Sequence, residues 1–145
     1  MPRLARCYKV DAGVPSDDLA RRVRRAFPSL LVQTVDTSVA SNERLVEMIG
    51  EQTFSAGEAG SPLAKKPEVD LLLRLAGTTQ ISRAIQEAGV RRGKDFLLAV
   101  MGDEPDLARF ESAEAPEWER LPRRQLDESD LHRIERAALL NAERA

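Results

Sequence analysis

The side chains best suited to catalysis in this chain are a lone histidine and a lone cysteine. His132 stands four residues after Glu128, which is the spacing of an ion pair along one face of a helix. We therefore interpret His132 as a surface or half-buried structural residue, with a general base as the alternative. Cys7 lies in a short strand-like stretch, where a small core residue is the favoured interpretation and a reactive thiol the alternative.

Paired acids and short motifs do not add a catalytic centre. Glu117 and Glu119 flank Trp118 in a polar stretch, where we do not expect the desolvation that raises a carboxyl pKa. The sequence contains no GxSxG, P-loop, GxGxxG or HExxH motif. One cysteine and one histidine cannot build a structural zinc site or an internal disulfide. We predict a protein that is not an enzyme, with no catalytic residues, no metal and no other cofactor.

Length and composition limit the remaining classes of protein. The chain has 145 residues, 42% of them hydrophobic, which predicts a single domain over residues 1–145. Its 22 Lys and Arg stand against 24 Asp and Glu, so a strongly cationic nucleic-acid binder is excluded but a local basic patch is not. No uncharged run approaches membrane-spanning length, and no apolar signal segment follows the basic N-terminus. We therefore expect a cytoplasmic protein.

Hydrophobic periodicity predicts the elements that position these side chains. Strands are predicted over residues 4–10, 30–35 and 96–101, the first at a sheet edge and the last, an unbroken apolar run, at the sheet centre. Helices are predicted over 17–27, from 42 onward, and over 67–76, 80–88 and 129–142, with a short helical piece near Leu107 and a loop over 55–62. We predict an α/β fold of the α+β type, a single domain with a small central, mostly antiparallel sheet packed with several helices.

Start and stop signals bound the helices. The predicted N-caps are Ser16, Ser41, and either Thr78 or Thr79. Pro67 suits the first position of its helix, and Gly77 suits the left-handed position just past the end. Gly89 is predicted to end the helix over 80–88 as a second C-terminal glycine. That helix carries one apolar stripe, formed by Ile81, Ala84, Ile85 and Ala88.

The helix over 67–76 is apolar on almost every side. Its two apolar faces are formed by Val69, Leu72, Leu73 and Ala76, and by Leu71 and Leu75. Asp70 and Arg74 are its one polar pair, four residues apart. Such a helix lies either in the centre of the core or between the chain and a partner, and we favour the core.

Two lysines directly precede this apolar helix. Lys65 and Lys66 lie where the helix dipole is already positive, so a negative group is expected beside them. Glu68 and Asp70 in the first turn are the favoured source of that charge. The alternative is a phosphate bound by free backbone amides and both ammonium groups.

A second set of free amides opens the next helix. It lies at Thr78, Thr79 and Gln80, beside two hydroxyls and one turn before Arg83. The two sets together could hold a nucleic-acid backbone. A further basic patch on the helix over 17–27 consists of Arg21, Arg22, Arg24 and Arg25. Acids stand four residues before the first two of these arginines, so we interpret this patch as a solvated face of ion pairs.

Two helices joined by a glycine-containing turn also fit a helix-turn-helix. The helix over 80–88 would then read DNA. A recognition helix presents several basic or amide side chains, and here Arg83, Gln80 and Gln86 are all that is offered. The helix before it is too apolar to lie against DNA. We keep a helix-turn-helix nucleic-acid-binding protein as the alternative function.

The stretch over 63–90 resembles one known family. Its specific part is the apolar helix followed by Ala-Gly-Thr-Thr-Gln-Ile at 76–81, then Ala-Ile at 84–85 and a closing Gly-Val at 89–90. This pattern resembles the small kinase-binding regulatory subunit of the KEOPS (EKC) complex, the TPRKB-like family of the PRPK-binding protein. The order of elements on both sides agrees, and residues 134–140 look like the family's ending.

The resemblance implies a non-catalytic adaptor. In such complexes a metal-dependent subunit transfers threonylcarbamoyl to the adenosine next to the tRNA anticodon, beside an atypical kinase that works as an ATPase. The small subunit binds the N-lobe of that kinase and holds tRNA by its 3′ CCA end. The resemblance implies no membrane partner. By resemblance, the kinase-interface residues are Leu71, Leu75, Ile81 and Ile85. The tRNA-binding residues implied are Lys65, Lys66, Thr78, Thr79, Gln80 and Arg83.

Overall fold

A four-stranded antiparallel sheet forms the middle layer of the chain, whose computed structural model describes residues 2–114 and 117–144. The strands are β1 (Arg3–Val10), β2 (Leu31–Asp36), β3 (Phe96–Asp103) and β4 (Glu119–Arg120). Their spatial order is β2-β3-β1-β4. The unbroken apolar run is β3, which pairs with β2 on one side and β1 on the other, so its predicted place at the sheet centre is confirmed.

Helices cover both faces of this sheet. They are α1 (Ser16–Ala26), α2 (Glu43–Glu58), α3 (Pro67–Ala76), α4 (Ile81–Ala88), α5 (Glu104–Ala113) and α6 (Glu128–Arg144). Apolar residues of α1 and α5 pack with one face of the strands, and those of α2, α3, α4 and α6 pack with the other. The predicted α+β fold with a small antiparallel sheet is confirmed. Within the described residues, no helix combines the length and apolarity needed to cross a bilayer.

Three elements differ from their predictions. β1, predicted at a sheet edge, lies between β3 and β4, although β4 pairs only with Tyr8 and Lys9. The loop predicted over 55–62 is wrong in its first half, because α2 continues to Glu58 and buries Ala56 in the core. The short helical piece near Leu107 is the ten-residue helix α5, held to the sheet by that leucine and Phe110. The helix α5 lies in the acidic, proline-containing stretch over 102–126. Residues 115 and 116 of that stretch are outside the described part of the chain.

The predicted N-caps are wrong by one or two residues. Ser16 is the first residue of α1, and no side chain caps this helix. Asn42, not Ser41, caps α2, because its side-chain oxygen accepts the backbone amide of residue 44 at 3.0 Å. The same side chain donates to the carbonyl of residue 124, so it joins two segments at once. The cap residue of α4 is Gln80, which follows both predicted threonines and makes no side-chain cap bond.

Two glycines end helices for different reasons. Gly77 has φ of +75°, as predicted, and its amide donates to the Leu73 carbonyl at 2.8 Å. Gly89 ends α4, as predicted, with an ordinary φ of −69°. A Cβ on Gly89 would lie 2.5 Å from the Ile85 carbonyl oxygen, so this position needs glycine for the close approach of the backbone. Pro67 begins α3, as predicted.

The outer backbone groups of β1 are bonded by carboxylates of α2. The Ala5 amide donates to Glu47 at 2.8 Å, and the Cys7 amide donates to Glu43 at 2.9 Å. Glu43 is fully buried, and the guanidinium of Arg120 contacts both of its oxygens at 2.6 and 3.1 Å. One helix face therefore satisfies the part of β1 that β4 leaves unpaired.

The outer edge of β2 is closed by its own neighbours. The Arg24 guanidinium donates to the Val32 carbonyl at 2.8 and 3.1 Å, and the Thr34 amide donates to the Gln33 side-chain oxygen at 2.9 Å. The amide nitrogen of the same Gln33 donates to the Glu68 carbonyl at 2.8 Å, which ties β2 to the start of α3. Side chains replace a fifth strand at this edge.

We predict that the glutamate on the β1 edge makes stability depend on pH. Burial alone would raise the pKa of Glu47, but hydrogen bonds from Arg123 and the Ala5 amide, with the charge of Arg123, outweigh burial and lower that pKa. A lowered folded pKa contributes stability that is present above the ordinary value near pH ~4.3 and is lost as pH falls through the folded value. Urea unfolding between pH 6 and 3 should therefore show a smaller acid loss of free energy in Glu47→Gln than in the parent chain. An equal loss in both chains would contradict this.

Candidate functional site

The leucines predicted at a kinase interface lie inside this chain. Leu71 is 1% exposed and Leu75 is 4% exposed, and both belong to the core between α3, α2 and α6. A partner cannot reach these two side chains while the domain is folded. The placement favoured from the sequence, with the helix in the core, is the one that the structure has, so the interface residues carried over by resemblance reduce to Ile81 and Ile85.

The polar pair of α3 is also fully buried and lies in a complete network. Arg74 donates from Nε to Asp70 Oδ1 at 2.6 Å. Asp70 also accepts the Thr53 hydroxyl at 2.7 Å and the Leu63 amide at 2.8 Å. Arg74 reaches α6 as well, where it donates to the side-chain oxygen of Asn141 at 2.7 Å. This pair joins α2, α3 and α6, so its role is structural.

The isoleucines of α4 are the exposed apolar side chains of this region. Ile81 is 53% exposed and Ile85 is 56% exposed, and their spacing of four places them on one helix face. The predicted apolar stripe is divided, because Ala84 and Ala88 turn inward and are buried. Small residues face α3 and large ones face solvent. Together they form a small exposed apolar patch on this helix.

The predicted tRNA-binding residues form two groups. Lys65 and Lys66 are exposed just before α3, and the others lie at and after its C-terminal end, over residues 78–83. Ten helical residues at about 1.5 Å each separate the groups by roughly 15 Å. One phosphate cannot contact both groups. A bound RNA would have to extend along α3 to use all six side chains.

The second group is partly engaged within the chain. The Thr78 hydroxyl accepts the Gln80 amide at 3.1 Å, and Thr79 is half-buried. Arg83 donates to Glu87 at 2.9 Å in an exposed pair, which solvent screens strongly. Arg83 follows Ile81 by two residues, about 200° around the helix axis, so it lies on the flank opposite the isoleucines. The two predicted surfaces of α4 therefore do not overlap.

The first group borders a cavity that the sequence did not indicate. It has a volume of about 340 Å³ and lies between α1, the outer edge of β2 and the start of α3. Lys66 lines it together with Arg21 and Arg24, so the two basic patches of the sequence meet at one place. One sequence feature agrees with this placement: Arg24, unlike Arg21, has no acid four residues before it with which to pair.

The ion pairs predicted along α1 are wrong. Arg21 contacts Asp18 at 3.4 Å, three residues away, instead of the acid four residues away. Arg22 pairs with Glu114, the residue just after α5, at 2.5 Å. Of these two arginines only Arg22 reaches beyond α1, and Arg21, Arg22 and Arg25 are exposed, so the predicted solvated face is present with different ion pairs.

The residues considered for catalysis do not come together in one site in the described structure. His132 is 76% exposed and its Nε2 lies 4.0 Å from Glu128, as the spacing predicts. Cys7 is fully buried, and burial raises the pKa of its thiol well above the ordinary range. Trp118 packs its ring on Tyr8, at 6.1 Å between centroids, while Glu117 and Glu119 point into solvent. Outside residues 1, 115, 116 and 145, no three His, Cys, Asp or Glu side chains could hold a metal ion together.

The two helices of the helix-turn-helix alternative offer little with which to read DNA. α3 and α4 pack together across the turn at Gly77. The exposed surface of α4 presents Ile81 and Ile85, and Arg83 is paired with an acid.

No protein-family model matches the sequence, and no curated protein matches it at a significant level.

Proposed function

We propose that this chain is the non-catalytic regulatory subunit of a KEOPS-type tRNA-modifying complex in the cytoplasm. It binds the N-lobe of the atypical kinase/ATPase subunit and recruits tRNA by the 3′ CCA end for threonylcarbamoylation of the adenosine next to the anticodon. The metal-dependent transferase is then an indirect partner. The observation that carries the proposal is the exposed isoleucine pair on α4, the helix that follows the Ala-Gly-Thr-Thr-Gln-Ile motif.

The proposed kinase contact rests on the exposure of these two isoleucine side chains. Burying two half-exposed isoleucine side chains against a partner contributes stabilisation of the order of 1 to 2 kcal/mol each. Few interface residues usually dominate binding, and large apolar side chains in the centre of a patch are among them. A single helical turn that presents both can therefore anchor a complex.

The RNA contact rests on charge. The structure places no carboxylate within ion-pair distance of Lys65 or Lys66 among the residues that it describes, and both side chains are exposed. Counterion release from an RNA backbone favours such lysines, and the gain weakens as salt rises. A modest grip on one end of tRNA raises the effective concentration of the anticodon loop at a distant catalytic subunit.

The two surfaces support simultaneous binding. The isoleucines and Arg83 lie on opposite flanks of α4, and the lysines lie about 15 Å away at the far end of α3. A kinase bound to the isoleucine face leaves Arg83 and the two lysines open. This arrangement suits an adaptor, which must hold its protein partner and its RNA at the same time.

The experiment that tests the proposal compares two tRNA transcripts, one intact and one trimmed of its CCA end. Fluorescence polarisation across a salt series should show binding that depends on the CCA end and weakens as salt rises. A pull-down with the kinase subunit tests the protein contact separately. Equal binding of both transcripts would refute CCA recruitment, and displacement of tRNA by duplex DNA would favour the helix-turn-helix alternative.

We predict that Lys65→Glu with Lys66→Glu removes tRNA binding and preserves kinase binding. Two charge reversals should weaken tRNA affinity by about 100-fold or more at low salt, because each phosphate contact adds to the salt-dependent free energy. The matched control reverses the chain's other two lysines, Lys9 and Lys94, which are also exposed. Both double variants have the same net charge. Equal tRNA affinity in the two variants would show that the lysines before α3 are not the binding site.

A further inference from the structure

The cavity at the outer edge of β2 has the chemistry of an anion site. Its wall on one side is α1, its floor is the edge of β2, and its other wall is the start of α3. The lining residues are Asp17, Ala20, Arg21, Arg24, Gln33, Thr34, Lys66 and Glu68. Three cations face two acids there.

Arg24 is a fixed guanidinium whose charge is not neutralised. Its Nε and Nη2 donate to the Val32 carbonyl, and Nη2 also lies 3.4 Å from the side-chain oxygen of Gln33. Both acceptors are neutral. No ion pair of Arg24 is found among residues 2–114 and 117–144, and its Nη1 has no acceptor there. The guanidinium is held in place by the sheet edge and retains one nitrogen for a ligand.

Thr34 is a second, independent sign of a ligand. The residue is only 6% exposed, yet its hydroxyl makes no hydrogen bond within the described part of the chain. Thr34 lines the cavity, and its hydroxyl is not one of the fully enclosed polar atoms of the described residues. A nearly buried hydroxyl without a partner is costly unless something polar occupies the space beside it.

The third wall adds the charge of Lys66 and, among the described residues, one free backbone amide, that of Glu68, because Pro67 has no N–H and the Val69 amide donates to the Lys66 carbonyl at 3.0 Å. Lys66 is the residue before α3, and no side chain caps that helix. The positive end of the helix dipole therefore faces the same region as the Lys66 ammonium. Asp17 and Glu68 also line the cavity, but neither lies within ion-pair distance of Arg24 or Lys66 in the described structure. A small anion would find donors on all three sides.

We propose that this cavity binds a phosphate group, with Arg24 and Lys66 supplying charge and the Thr34 hydroxyl supplying a hydrogen bond. Guanidinium, ammonium, hydroxyl and a helix start are the donors that recognise phosphate oxygens. This site goes beyond the tRNA contacts of the proposed function, since those used Lys66 but not Arg24 or Thr34. The phosphate belongs either to an RNA backbone or to a free phosphorylated small molecule.

The test is a titration of the ¹⁵N-labelled chain, followed by amide chemical shifts, with inorganic phosphate, AMP and the trinucleotide CCA as separate probes. Shifts should concentrate on residues 21–24, 33–34 and 66–68. Saturation by the trinucleotide at much lower concentration than AMP assigns the phosphate to an RNA backbone, and the reverse order assigns it to a small molecule. The site would be overturned if no probe changed the amide chemical shifts, or if the changes were spread over all basic residues.

Variants make the assignment specific. Lys66→Gln and Arg24→Gln should each lower the affinity for the tightest-binding probe about tenfold, which is the effect of losing one charged hydrogen bond. Thr34→Val preserves side-chain shape and should weaken it several-fold. The control is Arg109→Gln, which removes an exposed arginine of α5 outside the cavity and should leave the affinity unchanged. If Lys66→Gln, an exposed change that cannot unfold the chain, behaves as the control does, the site is wrong. Intact tRNA binding alongside that result would leave the proposed function standing.

Discussion

Ile85→Glu is expected to abolish the complex with the kinase subunit and to leave this chain folded. Ile85 is 56% exposed, so a carboxylate there remains solvated in the free chain and changes the free energy of unfolding by about 0.5 kcal/mol or less. In the complex the same carboxylate would be buried against an apolar surface without a partner. Losing an apolar anchor costs about 2 to 4 kcal/mol of binding free energy, or at least about 30-fold in affinity. The measurements are calorimetric titration with the kinase subunit and thermal unfolding of the free variant.

A matched control exists on α6. Leu139 is 51% exposed, close to the exposure of Ile85, and lies on another helix. Leu139→Glu should fold normally and bind the kinase subunit as the parent chain does. Ile81→Glu should behave as Ile85→Glu does. If both isoleucine variants bind normally, the α4 face is not the kinase surface, and if they unfold, these side chains matter to the core instead.

Arg74→Met is expected to give the largest loss of stability. The substitution fills a similar volume but leaves Asp70 buried without its cation, at a cost of about 3–5 kcal/mol in free energy of unfolding. Asp70 keeps only the neutral donors Thr53 and the Leu63 amide. Arg74 also fixes α6, so the variant loosens the contact between that helix and α3. Urea unfolding measured at neutral pH gives the difference directly.

A double variant separates the ion pair from simple packing. In Asp70→Leu with Arg74→Met both charges are removed, so no uncompensated buried charge remains. The double variant should be more stable than Arg74→Met alone, and its loss of stability should be smaller than the sum of the two single losses by at least about 1 kcal/mol in the mutant cycle. A loss below about 1 kcal/mol in Arg74→Met, or additive losses in the cycle, would show that solvent enters this network.

Local patterns were sufficient to predict several elements. The unbroken apolar run of β3, Pro67 at the start of α3 and Gly77 at its end each depend on a few adjacent residues. The N-caps were less certain because Ser, Thr and Asn are interchangeable locally, and the choice of Asn42 depends on its second bond to residue 124. The end of α2 was also mispredicted, because it depends on the packing of Ala56 in the core and not on the residues around it in the sequence.

The candidate site was only partly predictable. The pattern of α4 could not distinguish which half of its apolar stripe turns inward, since that depends on how closely α3 packs, and only alanines fit there. The burial of Leu71 and Leu75 was one of two alternatives that give the same helix pattern. The cavity beside Thr34 joins residues more than thirty positions apart, so no short window of sequence contains it.

The closed edges of the sheet decide how this chain can associate with others. A peptide or a second copy often extends a sheet by adding a strand to an open edge, and the same reaction begins fibril growth. Here the Ala5 and Cys7 amides are already bonded by carboxylates, and the Val32 carbonyl is already bonded by a guanidinium. An incoming strand would have to displace charged side chains before it gained any backbone hydrogen bond. Strand addition is therefore disfavoured at these positions, although the core strands themselves are strongly apolar.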